Sequence, residues 1–92
     1  MTLRWSSRAL LDLQRLADRI AADGKPLAAQ TFVKALADKV ARLEQFPLLG
    51  RMGRLTDTRE LVVHKHHVVT YRLRAGEVQV LQVWHTATAQ PG

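Results

Sequence analysis

Apolar residues in the first half of the chain recur every three or four positions, which is the spacing of amphipathic helices. This pattern predicts a first helix over residues 8–22 and a second helix that begins at Pro26 and ends before Pro47. Ser6 or Ser7 is suited to cap the first helix, and Gly24 to end it. The predicted apolar stripes are Leu10, Leu13, Leu16, Ala17 and Ile20 in the first helix, and Ala29, Phe32, Val33, Leu36, Val40 and Leu43 in the second. Two such helices joined by a short link predict an αα-hairpin.

The second half of the chain has the alternation and β-branched residues of strands. Strands are expected over residues 59–64, 68–73 and 78–84, with a turn at Ala75-Gly76, and a short strand at residues 3–5 precedes the helices. Residues 47–58 are expected to form a loop. The order β-α-α-β-β-β predicts an α+β fold, in which the αα-hairpin packs on one face of a small, mainly antiparallel sheet. At 92 residues, we expect one domain spanning residues 1–92.

Composition narrows the class of protein. The hydrophobic share of 47% and charged share of 24% are typical of a globular chain. The chain has no cysteine, which excludes a disulfide scaffold and a thiolate metal site. No segment approaches the roughly 18 uninterrupted apolar residues of a membrane span. We therefore expect a cytoplasmic protein without membrane contact.

Positive charge is concentrated in the second half. The chain carries a net charge of +6, and residues 51–74 hold six lysines and arginines against only Asp57 and Glu60. Such a surface attracts nucleic acids or acidic proteins, and charge alone does not choose between them. Gly50-Arg51-Met52-Gly53-Arg54 lacks the lysine and hydroxyl residue of a P-loop.

Several short motifs occur in a recognisable order. They are Ala28-Ala29 with Phe32, Phe46-Pro47 with Gly50-Arg51, Thr58-Arg59-Glu60-Leu61, Tyr71-Arg72, and Val80-Leu81 with Val83 and His85. In this order and spacing, which cover roughly residues 3–88, the chain resembles the toxins of the RelE/ParE superfamily from type II toxin–antitoxin systems. The resemblance implies the same α+β fold.

The resemblance implies two alternative activities. RelE-like toxins are ribosome-dependent mRNA endoribonucleases, whereas ParE-like toxins inhibit DNA gyrase by binding and lack a recognised active site. RelE-like toxins place arginine and usually tyrosine on the last strand and tail, and residues 86–92 of this chain contain neither. This difference favours the ParE-like branch and a protein that is not an enzyme. Toxins of both branches are neutralised by a cognate antitoxin, here expected to be acidic and ParD-like.

The expected functional residues differ between these alternatives. For a gyrase inhibitor, Arg51, Arg54, Arg59 and Arg72 are the predicted target-binding residues, with no catalytic residue. For a nuclease, His85 would transfer protons while Arg59 and Arg72 hold the phosphate. Neither alternative requires a cofactor or a metal, and direct nucleic-acid binding is left open.

Histidines and tryptophans allow further interpretations. His64, His66 and His67 surround the predicted first hairpin turn, where a solvated turn is favoured over a metal site because no Asp, Glu or Cys lies nearby in sequence. Trp5 and Trp84 are suited to stack on bases, but are interpreted here as covering the edge of a small core.

Overall fold

The computed structural model describes residues 1–87 and shows two helices packed on one face of a five-stranded sheet. The strands are β1 (Thr2–Trp5), β2 (Arg51–Met52), β3 (Arg59–His64), β4 (His67–Arg74) and β5 (Glu77–His85). The helices are α1 (Ser7–Ala22) and α2 (Pro26–Ala41), and a 3₁₀ turn (Arg42–Glu44) follows α2. The predicted α+β class and element order are confirmed. No helix within residues 1–87 is both long and apolar enough to cross a membrane.

The sheet has the order β1-β5-β4-β3-β2 and is mainly antiparallel, as predicted. Only the pairing of β1 with β5 is parallel among the described strands. The β4–β5 hairpin turns at Ala75 and Gly76, which both have positive φ, as a two-residue hairpin turn of right-handed twist requires. β3 pairs with β2 only at Arg59 and Glu60, so its outer edge from Leu61 to His64 has no strand beside it within residues 1–87.

The start of α1 is fixed by Ser6, one of the two predicted capping residues. The Ser6 hydroxyl accepts a hydrogen bond from the Ala9 N–H at 3.0 Å and donates one to the Leu81 carbonyl at 2.9 Å. One side chain therefore caps the helix and attaches it to β5. The helix begins at Ser7, one residue earlier than predicted, and Gly24 follows it with a φ of +79°.

The core lies between the helices and the sheet. Its fully buried residues include Leu36, Val40 and Leu43 from the second predicted stripe. The first stripe was wrong at Leu10, which is 53% exposed, because Ala9 is the buried residue at the start of α1. On the outer side of α2, Asp38 pairs with Lys34 one helical turn earlier, at 3.1 Å.

Candidate functional site

The loop from Pro47 to Thr58 carries most of the predicted site and is held to the sheet by Tyr71. The Tyr71 hydroxyl donates to the Pro47 carbonyl at 2.7 Å and accepts from the Gly50 N–H at 2.8 Å. Burial raises the pKa of Tyr71, against the lowering effect of the Gly50 hydrogen bond and of Arg59, so the phenol is protonated at neutral pH. The start of the loop is therefore fixed by a buried side chain on β4.

Gly50 is required by this contact and not by a turn conformation. A Cβ atom at Gly50 would lie 2.7 Å from the Tyr71 ring and 2.9 Å from the Glu60 carbonyl oxygen. The positive-φ glycines among residues 1–87 are Gly24 and Gly76 instead. The requirement for glycine at position 50 is therefore space and not a positive φ.

Two of the predicted target-binding arginines converge on a buried acid. Glu60 is 3% exposed, and its carboxylate lies 3.2 Å from the Arg51 guanidinium and 3.8 Å from that of Arg54. It also accepts the backbone N–H of Arg54 at 3.2 Å. The Arg54 guanidinium in turn lies 5.0 Å from the ring centre of Trp84, within cation–π range. Part of the charge of Arg51 and Arg54 is thus used to organise the loop.

The other two predicted arginines line one hollow at the start of β3. Arg59 and Arg72 border a hollow of about 300 Å³ together with Arg74, Leu48 and Met52. Arg59 donates to the Gly50 carbonyl at 2.8 Å, and Arg72 donates to Gln79 at 2.7 Å. Each guanidinium group is therefore held in place by a hydrogen-bond acceptor.

His85 does not join this hollow. On β4 and β5, Arg72 pairs with Gln79 whereas His67 pairs with His85. The six residues from Gln79 to His85 correspond to about 20 Å along the strand. His85 instead packs against His67, with ring centres 5.0 Å apart. The structure brings Arg59 and Arg72 together and places His85 at the opposite end of β5.

Exposed apolar side chains occur along residues 46–52, and two of them, Leu48 and Met52, line the arginine hollow. The sequence pattern did not single them out. Phe46, Leu48, Leu49 and Met52 are between 44% and 72% exposed. We call these four residues, together with Arg59, Arg72 and Arg74, the loop surface. A cluster of apolar residues in a Pro- and Gly-containing loop was the sequence signal that identifies it.

A second candidate site is an apolar groove between the helices and the open edge of β3. It has a volume of about 430 Å³ and is lined mainly by apolar side chains, including Ile20, Ala28, Phe32 and Val63. His64 also lines it. Lys39 of α2 donates to the Val63 carbonyl at 2.8 Å and adds positive charge beside that edge. The apolar stripe of α2 indicated a core face, and the sequence did not show that part of this face remains open.

The tryptophans and the hairpin histidines can also be placed. Trp5 packs against the core, and Trp84 is 5% exposed, with its indole N–H donating to the Thr70 hydroxyl at 2.9 Å. His64 and His66 are exposed, and His67 is half-buried. Within residues 1–87, no group of three or more His, Cys, Asp or Glu side chains is arranged to hold a metal ion.

Comparison with known protein families gives a match over nearly the whole chain. The family described as the ParE toxin of the type II toxin–antitoxin system parDE matches residues 3–90. The chain is 34% identical over 90 residues to a putative toxin, Y4kP, of Sinorhizobium fredii, covering 97% of this chain and 92% of that protein. It is 36% identical over 83 residues to toxin RelE2 of Caulobacter vibrioides, covering 90% and 92% respectively.

Solved structures show the same fold. A chain from the chromosomal ParDE toxin–antitoxin system of P. aeruginosa superimposes with a TM-score of 0.86 at 24% identity, covering 92% of this chain and 95% of that chain. The YoeB/ParE toxin from Agrobacterium tumefaciens superimposes with a TM-score of 0.64 at 18% identity, covering 92% and 98%.

Proposed function

Since the chain belongs to the ParE toxin family of type II toxin–antitoxin systems, we propose that it inhibits DNA gyrase by binding it and is neutralised by a cognate acidic antitoxin. The observation that carries the proposal is the separation of His85 from Arg59 and Arg72. General acid–base cleavage of RNA needs a proton-transferring group within hydrogen-bond reach of the reacting phosphate. A histidine about 20 Å along the strand from the arginines does not meet this requirement.

The loop surface is the proposed contact with gyrase. Phe46, Leu48, Leu49 and Met52 expose apolar area, and the arginines of the hollow border it. Exposed apolar patches rimmed by polar groups are typical of protein interaction sites. Arginine is also enriched at such interfaces because its planar guanidinium binds carboxylates in a bidentate manner.

Preorganisation of the loop supports this assignment. Tyr71 fixes Pro47 and Gly50, and the Arg59 guanidinium donates to the carbonyls of Leu48, at 3.5 Å, and Gly50, at 2.8 Å. A loop ordered before binding loses less conformational entropy on association. The apolar side chains can therefore contribute to affinity without first folding the segment that carries them.

Purified gyrase provides the test of this surface. We expect Leu48→Ser and Arg72→Gln each to raise the toxin concentration needed to inhibit supercoiling by about tenfold, the effect of a central interface contact. Leu27→Ser and Arg15→Gln are matched controls, since both residues are exposed on the helices, and they should leave inhibition unchanged. Equal inhibition by Leu48→Ser, Arg72→Gln and the wild type would contradict the assignment.

His85 separates this proposal from the nuclease alternative. We expect His85→Gln to inhibit gyrase like the wild type, because His85 lies outside the loop surface. A ribosome-dependent endoribonuclease that uses His85 for proton transfer would lose RNA cleavage in the same variant. Loss of mRNA cutting together with unimpaired growth in cells expressing His85→Gln would favour that alternative.

The apolar groove is the proposed antitoxin site. Its β3 edge from Leu61 to His64 has no described strand beside it, so an added strand can pair there once it displaces Lys39 from the Val63 carbonyl. The groove lining offers an apolar surface to the side chains of that segment. Lys39 beside the edge and the net charge of +6 favour an acidic segment. Groove and loop surface contain different residues, so antitoxin and gyrase need not use the same contacts.

Binding to the antitoxin encoded next to the toxin gene tests this second contact. Ala28 is exposed and lines the groove, so Ala28→Arg should block docking and weaken binding at least tenfold without affecting the core. Ala41→Arg, at the exposed last position of α2, is the matched control. If calorimetry gave both variants the wild-type Kd, the groove would not be the antitoxin site.

A further inference from the structure

Four histidines gather at the end of the sheet farthest from the arginine hollow. The ring centres lie 5.8 Å apart for His64 and His67, 5.0 Å for His67 and His85, and 5.5 Å for His66 and His85. Phe32 of α2 makes edge contacts with His64 at 5.5 Å and with His67 at 5.1 Å. We call these four imidazoles the histidine cluster. They include every histidine of the chain.

At one end of the cluster, His85 is hydrogen-bonded to the backbone. The Nδ1 atom of His85 accepts a hydrogen bond from the Ala87 N–H at 3.1 Å, so that nitrogen carries no proton. The Thr86 N–H donates to the His66 carbonyl at 2.9 Å and attaches the same segment to the hairpin turn. Protonation of His85 at Nδ1 would break the first of these two bonds.

His67 lies at the centre of the cluster and has no anionic partner there. Its Nδ1 is buried and has no hydrogen-bond partner among the described residues. Burial lowers the pKa of His67, and His85, His64, His66 and Arg19 of α1 lower it further. All four neighbours are cationic when protonated. Without a nearby anion, protonation of the cluster therefore places like charges next to one another, and these charges repel. The group that would relieve this repulsion is a carboxylate.

The cluster is continuous with the apolar groove through two residues. His64 and Phe32 both line the groove, and both rings also contact His67. His64 is exposed at the end of β3, so a segment docked along the open edge of that strand would reach its imidazole. The His67 ring lies next to the His64 imidazole, with ring centres 5.8 Å apart.

We propose that His64, backed by His67, is a subsite for a carboxylate of the docked antitoxin, and that proton uptake at this subsite makes the complex tighter in acid. This inference rests on the antitoxin partnership proposed above and adds to it a specific anchor and a dependence on pH. A protonated imidazole donates from both nitrogens and forms a charge-assisted hydrogen bond to a carboxylate. Because burial and the neighbouring groups lower the pKa of His67 in the free protein, and a bound carboxylate would favour its protonated form, binding and proton uptake are linked.

The linkage between binding and proton uptake fixes the direction in which the Kd changes with pH. A neutral imidazole gives the carboxylate only a weak contact, whereas an imidazolium gives it an ion pair, so the complex should tighten as the pH falls. We expect the Kd of the toxin–antitoxin complex to fall roughly fivefold from pH 8 to pH 6, the contribution of a partly exposed ion pair. Calorimetry in buffers of different ionisation enthalpy should show net proton uptake at pH 6.5.

The test uses the full-length toxin and the antitoxin encoded beside it, with two matched variants. His64→Gln should remove most of the pH dependence and the proton uptake. His66→Gln carries the same substitution at an exposed residue of the same hairpin turn outside the groove lining, and should retain both effects. Circular dichroism spectra at each pH establish that both variants are folded.

Different results would contradict the carboxylate subsite and the antitoxin partnership on which it rests. A complex whose Kd is the same at pH 6 and pH 8, or a His64→Gln variant that keeps the wild-type pH dependence, would overturn the carboxylate subsite alone. If no complex formed at any pH, the antitoxin partnership and the subsite would both be wrong.

Discussion

Removal of a single hydroxyl group, in Tyr71→Phe, tests how the loop surface is held. Tyr71 is fully buried and forms two hydrogen bonds through this hydroxyl, one with Pro47 at 2.7 Å and one with Gly50 at 2.8 Å. Phenylalanine keeps the ring packing, so the substitution removes these bonds with little change in volume. The Gly50 N–H then loses its partner in a buried position, while the half-buried Pro47 carbonyl can be rehydrated.

The expected loss of stability follows from these two groups. A buried polar group left without a partner costs about 1–3 kcal/mol, so we expect Tyr71→Phe to lower the free energy of unfolding by about 2–3 kcal/mol. For a domain of this size, that corresponds to a fall in Tm of roughly 10–20 °C. Chemical denaturation and differential scanning calorimetry at pH 7 measure the two quantities independently.

The control for Tyr71→Phe is another hydroxyl deletion. The Thr31 hydroxyl donates to the Leu27 carbonyl at 3.0 Å on the exposed side of α2, and Thr31→Val should change stability by less than about 0.5 kcal/mol. Tyr71→Phe should also weaken gyrase inhibition at temperatures where it is folded, since the loop is no longer fixed. A Tyr71→Phe variant as stable as Thr31→Val would show that the Tyr71 hydroxyl does not hold the loop.

Three further perturbations test the packing at Gly50, the ion pairs of Glu60 and the burial of His67. Gly50→Ala should destabilise the fold by about 1–3 kcal/mol in urea denaturation, because the new methyl group overlaps the Tyr71 ring, and wild-type stability would show that the loop can move aside. Glu60→Gln keeps the shape but removes the charge that binds Arg51 and Arg54, so we expect a loss of about 1–2 kcal/mol, and an unchanged urea midpoint would contradict the proposed organising role. The folded-state pKa of His67 lies below its ordinary value of 6.5, so the unfolded chain takes up this proton first as the pH falls. Stability from this group is present above pH 6.5 and is lost as the pH falls towards the folded-state pKa; Tm measured from pH 8 to pH 5 should fall less for His67→Gln than for the wild type.

Local patterns predicted the elements of the fold because each has a signal within a few residues. Ser6 and Gly24 mark the ends of α1, and the Ala75-Gly76 turn separates β4 from β5. The two-residue strand β2 was missed and placed inside a loop, since it exists only through its pairing with β3. Leu10 was misplaced because helical spacing does not fix which neighbouring residue faces the sheet.

The candidate site was less predictable because it depends on contacts between distant residues. The sequence identified Arg59 and Arg72 but not their shared hollow, nor their distance from His85. Glu60 and Asp57 are the two acids among these arginines in the sequence, and the role of Glu60 depends on its burial against the loop. Alternation along β3 places Glu60 on the face opposite Leu61 and Val63. This placement was the sequence signal for a polar network on that face.

We propose that this chain acts by binding gyrase and carries out no bond chemistry. The most direct test of this proposal adds one preparation of purified wild-type toxin to two assays: gyrase supercoiling with cleavage-complex formation, and mRNA cutting on translating ribosomes. We expect inhibited supercoiling, accumulated cleavage complexes and intact mRNA. Unchanged gyrase activity together with cut mRNA would contradict the proposal.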